Sequence, residues 1–134
     1  MKFPDKFLSH LISCPGFDQE RFVDAHEVKP PVSLRLNVNK KFQHNYNKKV
    51  PWSETGYYLD ERPLFVFDPL FHAGAYYVQE ASGMFIEYIL NQLPEISEQI
   101  KVLDLCAAPG GKSTIIASSI TDDSLLVSNE IIKT

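Results

Sequence analysis

The sequence has little cysteine, no long apolar run and no excess of positive charge. Its two cysteines, Cys14 and Cys106, stand in unrelated contexts and make no disulfide framework, so we expect a reducing, cytoplasmic setting. No apolar run reaches the roughly 18 residues of a membrane-spanning helix, and we expect no membrane partner. The net charge of −4 lacks the basic excess that nucleic-acid-binding domains usually carry.

Residues that could bind a metal are few and scattered along the sequence. The four histidines have neither metal-ligand spacing nor a nearby cluster of cysteine or carboxylate, so we expect no metal at His10, His26, His44 or His72. What is present is an apolar fraction of 44% over 134 residues, enough for the core of one modest domain or of two incomplete ones.

The first part of the chain predicts two helices followed by a strand. Helical spacing of apolar residues indicates helices at residues 4–12 and 18–26, and Asp18 is placed to cap the second. Strict alternation over residues 32–38 predicts a half-buried strand with Arg35 on its polar face. We also expect a strand at residues 64–67.

The second part predicts alternating strands and helices. A strand is expected at residues 76–79, and a helix over 80–93 that ends before Pro94. The helix is expected to bury Phe85, Ile86, Ile89 and Leu93. Proline and glycine near residues 68–75 suggest a boundary, which gives an α+β module over residues 1–70 and a second domain over residues 71–134.

The most informative segment, residues 101–113, predicts a strand, a tight loop and the start of a helix. An apolar run through Leu105 has the character of a buried parallel strand, and Gly110 and Gly111 then interrupt it before an apolar helical pattern. Glycines without Cβ atoms and outward-facing N–H groups at a helix N-terminus favour an anion or a cofactor. An ordinary strand-to-helix turn is the simpler alternative.

Three loop chemistries compete for this segment. Gly111-Lys112-Ser113 matches the second half of a phosphate-binding loop, but Cys106 stands where its first glycine belongs, and the dinucleotide pattern Gly-x-Gly-x-x-Gly is absent. A second apolar run is followed by Glu130, ~20 residues beyond the loop, where doubly wound folds place a carboxylate for ribose hydroxyls. The combination favours an adenosine-bearing cofactor, and with it the third chemistry, an S-adenosylmethionine loop.

Four segments carry a resemblance to a known family. Asp104-Leu-Cys-Ala-Ala-Pro-Gly-Gly-Lys112 resembles the cofactor motif of the Sun-type (Nol–Nop–Sun) RNA 5-methylcytosine methyltransferases. Gly74-Ala-Tyr-Tyr-Val-Gln-Glu-Ala-Ser-Gly-Met84 is similar to the segment before that family's cofactor domain. Ser33-Leu-Arg-Leu-Asn37 resembles its N-terminal strand, and Val50-Pro-Trp52 with Gly56-Tyr-Tyr-Leu59 resembles its ribosomal-RNA branch. The order of the segments also agrees.

The resemblance implies a fold and a cofactor. The fold is the start of a Rossmann-like S-adenosylmethionine-dependent methyltransferase domain, preceded by a small α+β module, with a sheet that is expected to be incomplete. The cofactor is S-adenosyl-L-methionine. The residues expected to bind it are Cys106, Ala107, Ala108, Pro109, Gly110, Gly111, Lys112 and Glu130.

Three further residues are expected to support this site. Asp104 is expected to orient the loop through its N–H groups, or to approach the cofactor's ammonium group. Gln79 and Glu80 match the family segment that closes one wall of the catalytic cleft, or they simply begin a helix. Lys112, one of the expected cofactor residues, supports the cofactor or the motif, or simply points to solvent from the start of the helix.

An RNA partner, most specifically ribosomal RNA, follows from the resemblance and not from the charge. Residues 39–49 interleave lysines with aromatic rings, a composition that suits single-stranded RNA, although a solvated loop is the alternative. The candidate RNA contacts are Arg35, Lys40, Lys41, Lys48 and Lys49. Arg35 could equally pair with an acidic side chain.

Neither cysteine lies in the Pro-Cys or Thr-Cys context of the family's nucleophile, whose thiolate attacks the cytosine ring. We therefore expect the chain to represent the N-terminal portion of a monomeric enzyme and to be inactive alone. The alternatives are a nucleotide-binding module with a degenerate phosphate loop, or a non-catalytic RNA-binding remnant.

Overall fold

The computed structural model describes residues 3–132, which divide after Pro31 into two compact units. The first unit holds helices α1 (Asp5–Leu11) and α2 (Gln19–Glu27). Asp18 caps α2 as predicted, because its Oδ1 accepts a 3.1 Å hydrogen bond from the Arg21 amide. Aromatic rings pack between the helices, with the Phe7 and Phe22 ring centroids 6.1 Å apart. This unit is therefore held together mainly by ring contacts.

The second unit contains two sheets. Its first part has strands β1 (Val32–Leu36), β2 (Lys48–Lys49), β3 (Gly56–Leu59) and β4 (Tyr76–Val78), with the short helix α3 (Pro69–His72) before β4. Its second part has helix α4 (Phe85–Leu90), strand β5 (Lys101–Asp104), helix α5 (Gly111–Ser119) and strand β6 (Leu125–Ser128). Single 3₁₀ turns cover Phe65–Phe67, Ala81–Met84 and Pro94–Ser97.

The larger sheet is antiparallel with strand order β2-β3-β1-β4, so β1 lies between β3 and β4. Its core is formed by Leu34, Phe65, Ala75 and Tyr76, and a neighbouring cluster by Val50, Ala81 and Met84. Because β4 pairs with β1, residues on both sides of the expected boundary at residues 70–71 share one sheet. That boundary stays a prediction.

The smaller sheet pairs β5 with β6 in parallel, with Leu103 opposite Val127. This confirms the parallel arrangement predicted for these strands. Helix α5 connects them and buries Ile115 and Ile116. One face of the pair is exposed, including Leu103 at 58% and Leu105 at 65%. The run through Leu105, which has the character of a buried strand, therefore has one uncovered apolar face in this chain.

The strand predicted at residues 64–67 is wrong, since Phe65–Phe67 forms a 3₁₀ turn. The Phe67 amide donates to the Leu64 carbonyl at 3.0 Å, and the Asp68 amide donates to the Phe65 carbonyl at 3.0 Å. Prolines at 63 and 69 supply no N–H to a neighbouring strand, which favours the local turn.

The helix predicted over residues 80–93 is shorter, and its buried face is different. Helix α4 begins at Phe85, after a 3₁₀ turn, and ends at Leu90. Ala81 and Met84 are buried, whereas Phe85, Ile89 and Leu93 are each about half exposed. Ser82 and Gly83 are weak helix formers, which accounts for the tighter first turn.

Candidate functional site

The candidate site lies where β5 and β6 end side by side. Because the strands are parallel, residues 105–110 after β5 and residues 129–132 after β6 emerge at the same edge. Two backbone hydrogen bonds join them: the Ala107 amide donates to the Asn129 carbonyl at 3.0 Å, and the Asn129 amide donates to the Asp104 carbonyl at 2.8 Å. The loop of the predicted cofactor motif is thus anchored to the segment that carries Glu130.

Asp104 fixes the start of this loop from inside. Its side chain is only 8% exposed, and Oδ1 accepts a 3.1 Å hydrogen bond from the Cys106 amide. Its other oxygen, Oδ2, accepts a 2.6 Å hydrogen bond from the Ser113 hydroxyl on α5. One carboxylate therefore ties both ends of the loop, the orienting role that the sequence favoured for it.

Glu130 braces the loop from the neighbouring strand. Its Oε1 accepts from the Ile132 amide and its Oε2 from the Ala108 amide, each at 3.0 Å. These two hydrogen bonds lower the pKa of the exposed Glu130 carboxyl, and desolvation and the nearby Asp104 charge oppose them only in part. Glu130 is therefore an ionised acceptor at the loop. Its predicted contact with a ribose stays a prediction.

The turn into α5 depends on Gly110. Its φ of +100° is left-handed, a conformation that residues with a Cβ rarely adopt, and a Cβ there would meet nothing within 4 Å. No side chain caps the helix start. The first amides of α5 are consequently not covered by a capping side chain.

Strand β4 and the residues after it face the loop from the other side. The Tyr77 hydroxyl donates to the Pro109 carbonyl at 2.7 Å, and the Gln79 amide group packs against Gly111. Between this wall and the loop lies a cavity of about 360 Å³. It is lined by Tyr77, Val78, Gln79, Glu80, Gly83, Ala107, Ala108, Pro109, Gly111 and Lys112.

The structure thus brings together most of the residues predicted for this site. Residues 107–109, Gly111, Lys112, Gln79 and Glu80 share the cavity. Cys106 is exposed beside it, and Glu130 reaches it through Ala108. Sequence reasoning missed Tyr77, whose hydroxyl contact with the loop left no sequence signal, and it assigned no role to the Ser113 hydroxyl beyond the phosphate-loop match.

Arg35 is an internal residue. Its side chain is 7% exposed, Nε donates to Gln79 Oε1 at 3.1 Å, and Nη2 donates to Thr114 Oγ1 at 2.5 Å. Burial lowers the pKa of this guanidinium, and the charge of Glu87 opposes that effect. The expected polar face of β1 is therefore contacted by Gln79 and by Thr114 of α5 at this position. RNA contact by Arg35 stays a prediction.

The four lysines that are candidate RNA contacts have different partners in the structure. Lys40 donates to the Ala73 carbonyl, Lys48 pairs with Asp60, and Lys49 donates to the Glu54 carbonyl at 2.7 Å. Lys41 is exposed. Between them, Phe42 and Tyr46 pack against the core of the antiparallel sheet, so these two rings are partly occupied by the fold. RNA contact by the four lysines stays a prediction.

Comparison with known proteins relates this α/β chain to the RNA methyltransferases. Residues 3–81 match the family model described as the N-terminal domain of 16S rRNA methyltransferase RsmF. The chain belongs to this family, which confirms the resemblance drawn from its motifs.

Individual relatives agree with this assignment. The chain is 33% identical to the ribosomal RNA small subunit methyltransferase F of Vibrio atlanticus, over 95% of this chain and 30% of the relative. It is 28% identical to the 28S rRNA (cytosine-C(5))-methyltransferase of Mus musculus, over 96% of this chain and 17% of the relative. The chain therefore spans less than a third of the length of these curated relatives, and the match lies within the family's N-terminal portion.

A solved structure shares the fold. The methyltransferase homologue from Pyrococcus horikoshii superposes with a TM-score of 0.73 at 26% identity, covering 94% of this chain and 44% of that one. Within the described part of this chain, no helix combines the length and apolar character needed to cross a membrane.

Proposed function

We propose that this chain provides the N-terminal module and the cofactor loop of an S-adenosylmethionine-dependent methyltransferase that acts on cytosine carbon 5 of ribosomal RNA. The observation that carries the proposal is the cavity between β4 and the loop, because its lining unites the family's two motifs, around Gln79 and around Gly111. When bound, S-adenosylmethionine would supply the transferable methyl group.

The residues around the cavity suit that cofactor. Glu130 is an ionised, exposed carboxylate whose oxygens each accept one hydrogen bond from this chain, which leaves lone pairs for ribose hydroxyls. Space opens in front of Gly110, where even a Cβ would meet nothing within 4 Å. Asp104 acts behind the loop, so its role is to hold the Cys106 amide and Ser113 in place.

Ribosomal RNA as substrate is supported by the relatives. The names of the bacterial and mammalian relatives specify ribosomal RNA, and the mammalian name also specifies cytosine carbon 5. Within these 134 residues, Cys14 and Cys106 are the only thiols, and neither follows proline or threonine. We therefore assign this segment to cofactor binding and not to nucleophilic attack on the base.

Transfer of a labelled methyl group tests the proposal. The protein, as its gene encodes it, is incubated with tritiated S-adenosylmethionine and unmodified ribosomal RNA, and the modified base is identified after nuclease digestion. We expect label in 5-methylcytidine. Label in another nucleoside, or none with large- or small-subunit RNA, would contradict the proposal.

A further inference from the structure

A second cavity lies between β1, β4 and α5, separate from the one that faces the cofactor loop. Its volume is about 230 Å³, and its lining combines polar and apolar residues. It is lined by Arg35, Leu36, Asn37, Asn39, Gly74, Tyr76, Tyr77, Thr114, Ala117 and Ser118. None of these residues carries a carboxylate, although the chain as a whole has a net charge of −4.

Arg35 is the only cation in this lining, and its guanidinium is unusually placed. No carboxylate of residues 3–132 lies within 4.0 Å of it, since the ion pairs there involve Arg21 and Lys48. Two of its nitrogens donate to Gln79 and Thr114. The Glu87 charge acts on the guanidinium from beyond 4.0 Å, but no carboxylate of the described residues contacts Arg35, which is only 7% exposed. A buried charge without a contacting partner of opposite sign is costly.

The third nitrogen of Arg35 is free to bind a ligand. Nη1 makes no hydrogen bond to the described part of the chain, yet no fully buried and unsatisfied side-chain nitrogen is found there, so Nη1 retains some exposure on a residue that lines the cavity. Its position is rigid because Nε and Nη2 are both held. A fixed, desolvated guanidinium is well suited to a phosphate group, which it binds through charge-assisted hydrogen bonds.

A second positive charge lies near the cavity but outside its lining. The Lys40 ammonium donates to the Ala73 carbonyl and lies close to Gly74, 3.6 Å from where a Cβ of that glycine would stand. The amide side chains of Asn37 and Asn39 add neutral polar groups nearby. The cavity lining therefore holds one buried cation and no acidic group, and a second cation lies outside the lining next to Gly74.

We propose that this cavity binds a phosphate group, with Arg35 as its fixed anchor, and that the phosphate belongs to the backbone of the RNA substrate. The source of the phosphate rests on the proposed function, whereas the anion site itself does not. Because α5 carries both Thr114 in this lining and Gly111 in the other cavity, a phosphate held here would lie beside the cofactor loop.

The test alters the cavity without touching Arg35. Ala117 is exposed on α5, so Ala117→Asp places a carboxylate at the cavity with little risk to the fold, and Ala117→Asn controls for size. Ser97→Asp adds the same charge outside the cavity lining. The Arg35 Nε–H resonance is followed by ¹H–¹⁵N NMR during addition of inorganic phosphate, with chloride at equal ionic strength as the blank.

We expect phosphate, but not chloride, to shift the Arg35 resonance in the parent protein, in Ala117→Asn and in Ser97→Asp, and not in Ala117→Asp. Ribosomal RNA should compete with inorganic phosphate for the site that this shift reports. In Ala117→Asp, RNA affinity should fall at least about fivefold and the slope of log affinity against log salt should decrease by about 0.7, the value for one single-strand phosphate contact.

Other outcomes would overturn parts of the proposal. No shift of Arg35 with phosphate removes the anion site. If phosphate shifts the Arg35 resonance but RNA does not displace the bound phosphate, the site belongs to a free phosphate compound, and the proposal that the phosphate comes from RNA is contradicted. Binding of S-adenosylmethionine, measured in parallel, should be unchanged in Ala117→Asp. If the parent protein does not bind S-adenosylmethionine, the proposed function is contradicted, whereas the Arg35 result still stands.

Discussion

Gln79 lies so close to Gly111 that a Cβ on the glycine would stand 3.2 Å from Gln79 Nε2. Gln79 cannot easily move away, because its Oε1 accepts a hydrogen bond from Arg35. The contact therefore joins the antiparallel sheet to the first residue of α5, and with it the wall of the candidate cofactor cavity to the loop.

This contact predicts a coupling between the two positions. Gly111→Ala should destabilise the parent protein, because the new methyl group displaces a held side chain. In a Gln79→Ala background the same change should stabilise it by up to about 1 kcal/mol, since alanine is the better helix former. A double-mutant cycle by denaturant unfolding should give a coupling energy above about 0.5 kcal/mol. Additive effects would contradict the close contact.

Asp104→Asn should weaken the loop. The amide keeps one oxygen acceptor but presents an NH₂ group where Asp104 now accepts from either the Cys106 amide or the Ser113 hydroxyl. Loss of a charge-assisted hydrogen bond at this buried position should lower the free energy of unfolding by about 1–3 kcal/mol. Asp123→Asn, at an exposed carboxyl, is the control. Equal stability of the two variants would contradict the role of Asp104.

The pair of Tyr76 and Asp68 predicts a dependence on pH. The Tyr76 hydroxyl donates to Asp68 Oδ2 at 2.5 Å, and this bond lowers the pKa of Asp68 from its usual value. Burial and the interaction with Asp68 raise the pKa of Tyr76. A lowered carboxyl pKa stabilises the folded state above the unfolded pKa, and this stabilisation is lost as pH falls through the folded pKa.

Tyr76→Phe should therefore flatten the fall in stability below about pH 4. Thermal unfolding at a series of pH values measures this dependence of stability on pH. Tyr58→Phe is the matched control, and we expect it to show the same pH profile as the parent protein. Identical acid profiles for the parent and Tyr76→Phe would show that the hydroxyl does not set the Asp68 pKa.

Glu130→Ala should weaken binding of S-adenosylmethionine by about tenfold or more, since a ligand hydroxyl would lose a charged acceptor. Glu130→Gln keeps an acceptor for the Ala108 amide and separates support of the loop from contact with the ligand. We expect the glutamine variant to bind with intermediate affinity in calorimetry. Unchanged affinity in Glu130→Ala would remove Glu130 from the site.

A polypeptide of these 134 residues should transfer no methyl group to ribosomal RNA, because neither thiol lies in the nucleophile context of the family. The exposed face of β5 and β6 should also make it prone to aggregation. A tritium-transfer assay checks this. Incorporation that Cys14→Ala or Cys106→Ala abolishes would place the nucleophile within these residues.

Local signals were enough to predict the elements around the loop. Apolar runs, the glycines at 110 and 111 and the helical pattern after them correctly indicated β5, α5 and β6. The caps and alternation also indicated α2 and β1. In each case the residues that determine the structure are neighbours in sequence.

What the sequence did not indicate depends on distant contacts. Alternation placed Arg35 on a polar face, yet its side chain is buried because Gln79 and Thr114 of α5 contact it from distant parts of the sequence. Helical periodicity marked Phe85 and Ile89 as buried, whereas the tight turn before α4 places Ala81 and Met84 inward instead. The contact of Tyr77 with Pro109 likewise joins segments 32 residues apart.

The central claim is that the loop after β5 holds S-adenosylmethionine, and a calorimetric titration of the protein as its gene encodes it tests this most directly. S-adenosylmethionine is titrated in one experiment and ATP with magnesium in a second, against the parent and Glu130→Ala. The account predicts saturable binding of S-adenosylmethionine that Glu130→Ala weakens, and no binding of ATP. Binding of ATP with magnesium in place of S-adenosylmethionine would contradict it and identify Gly111-Lys112-Ser113 as a phosphate-binding loop.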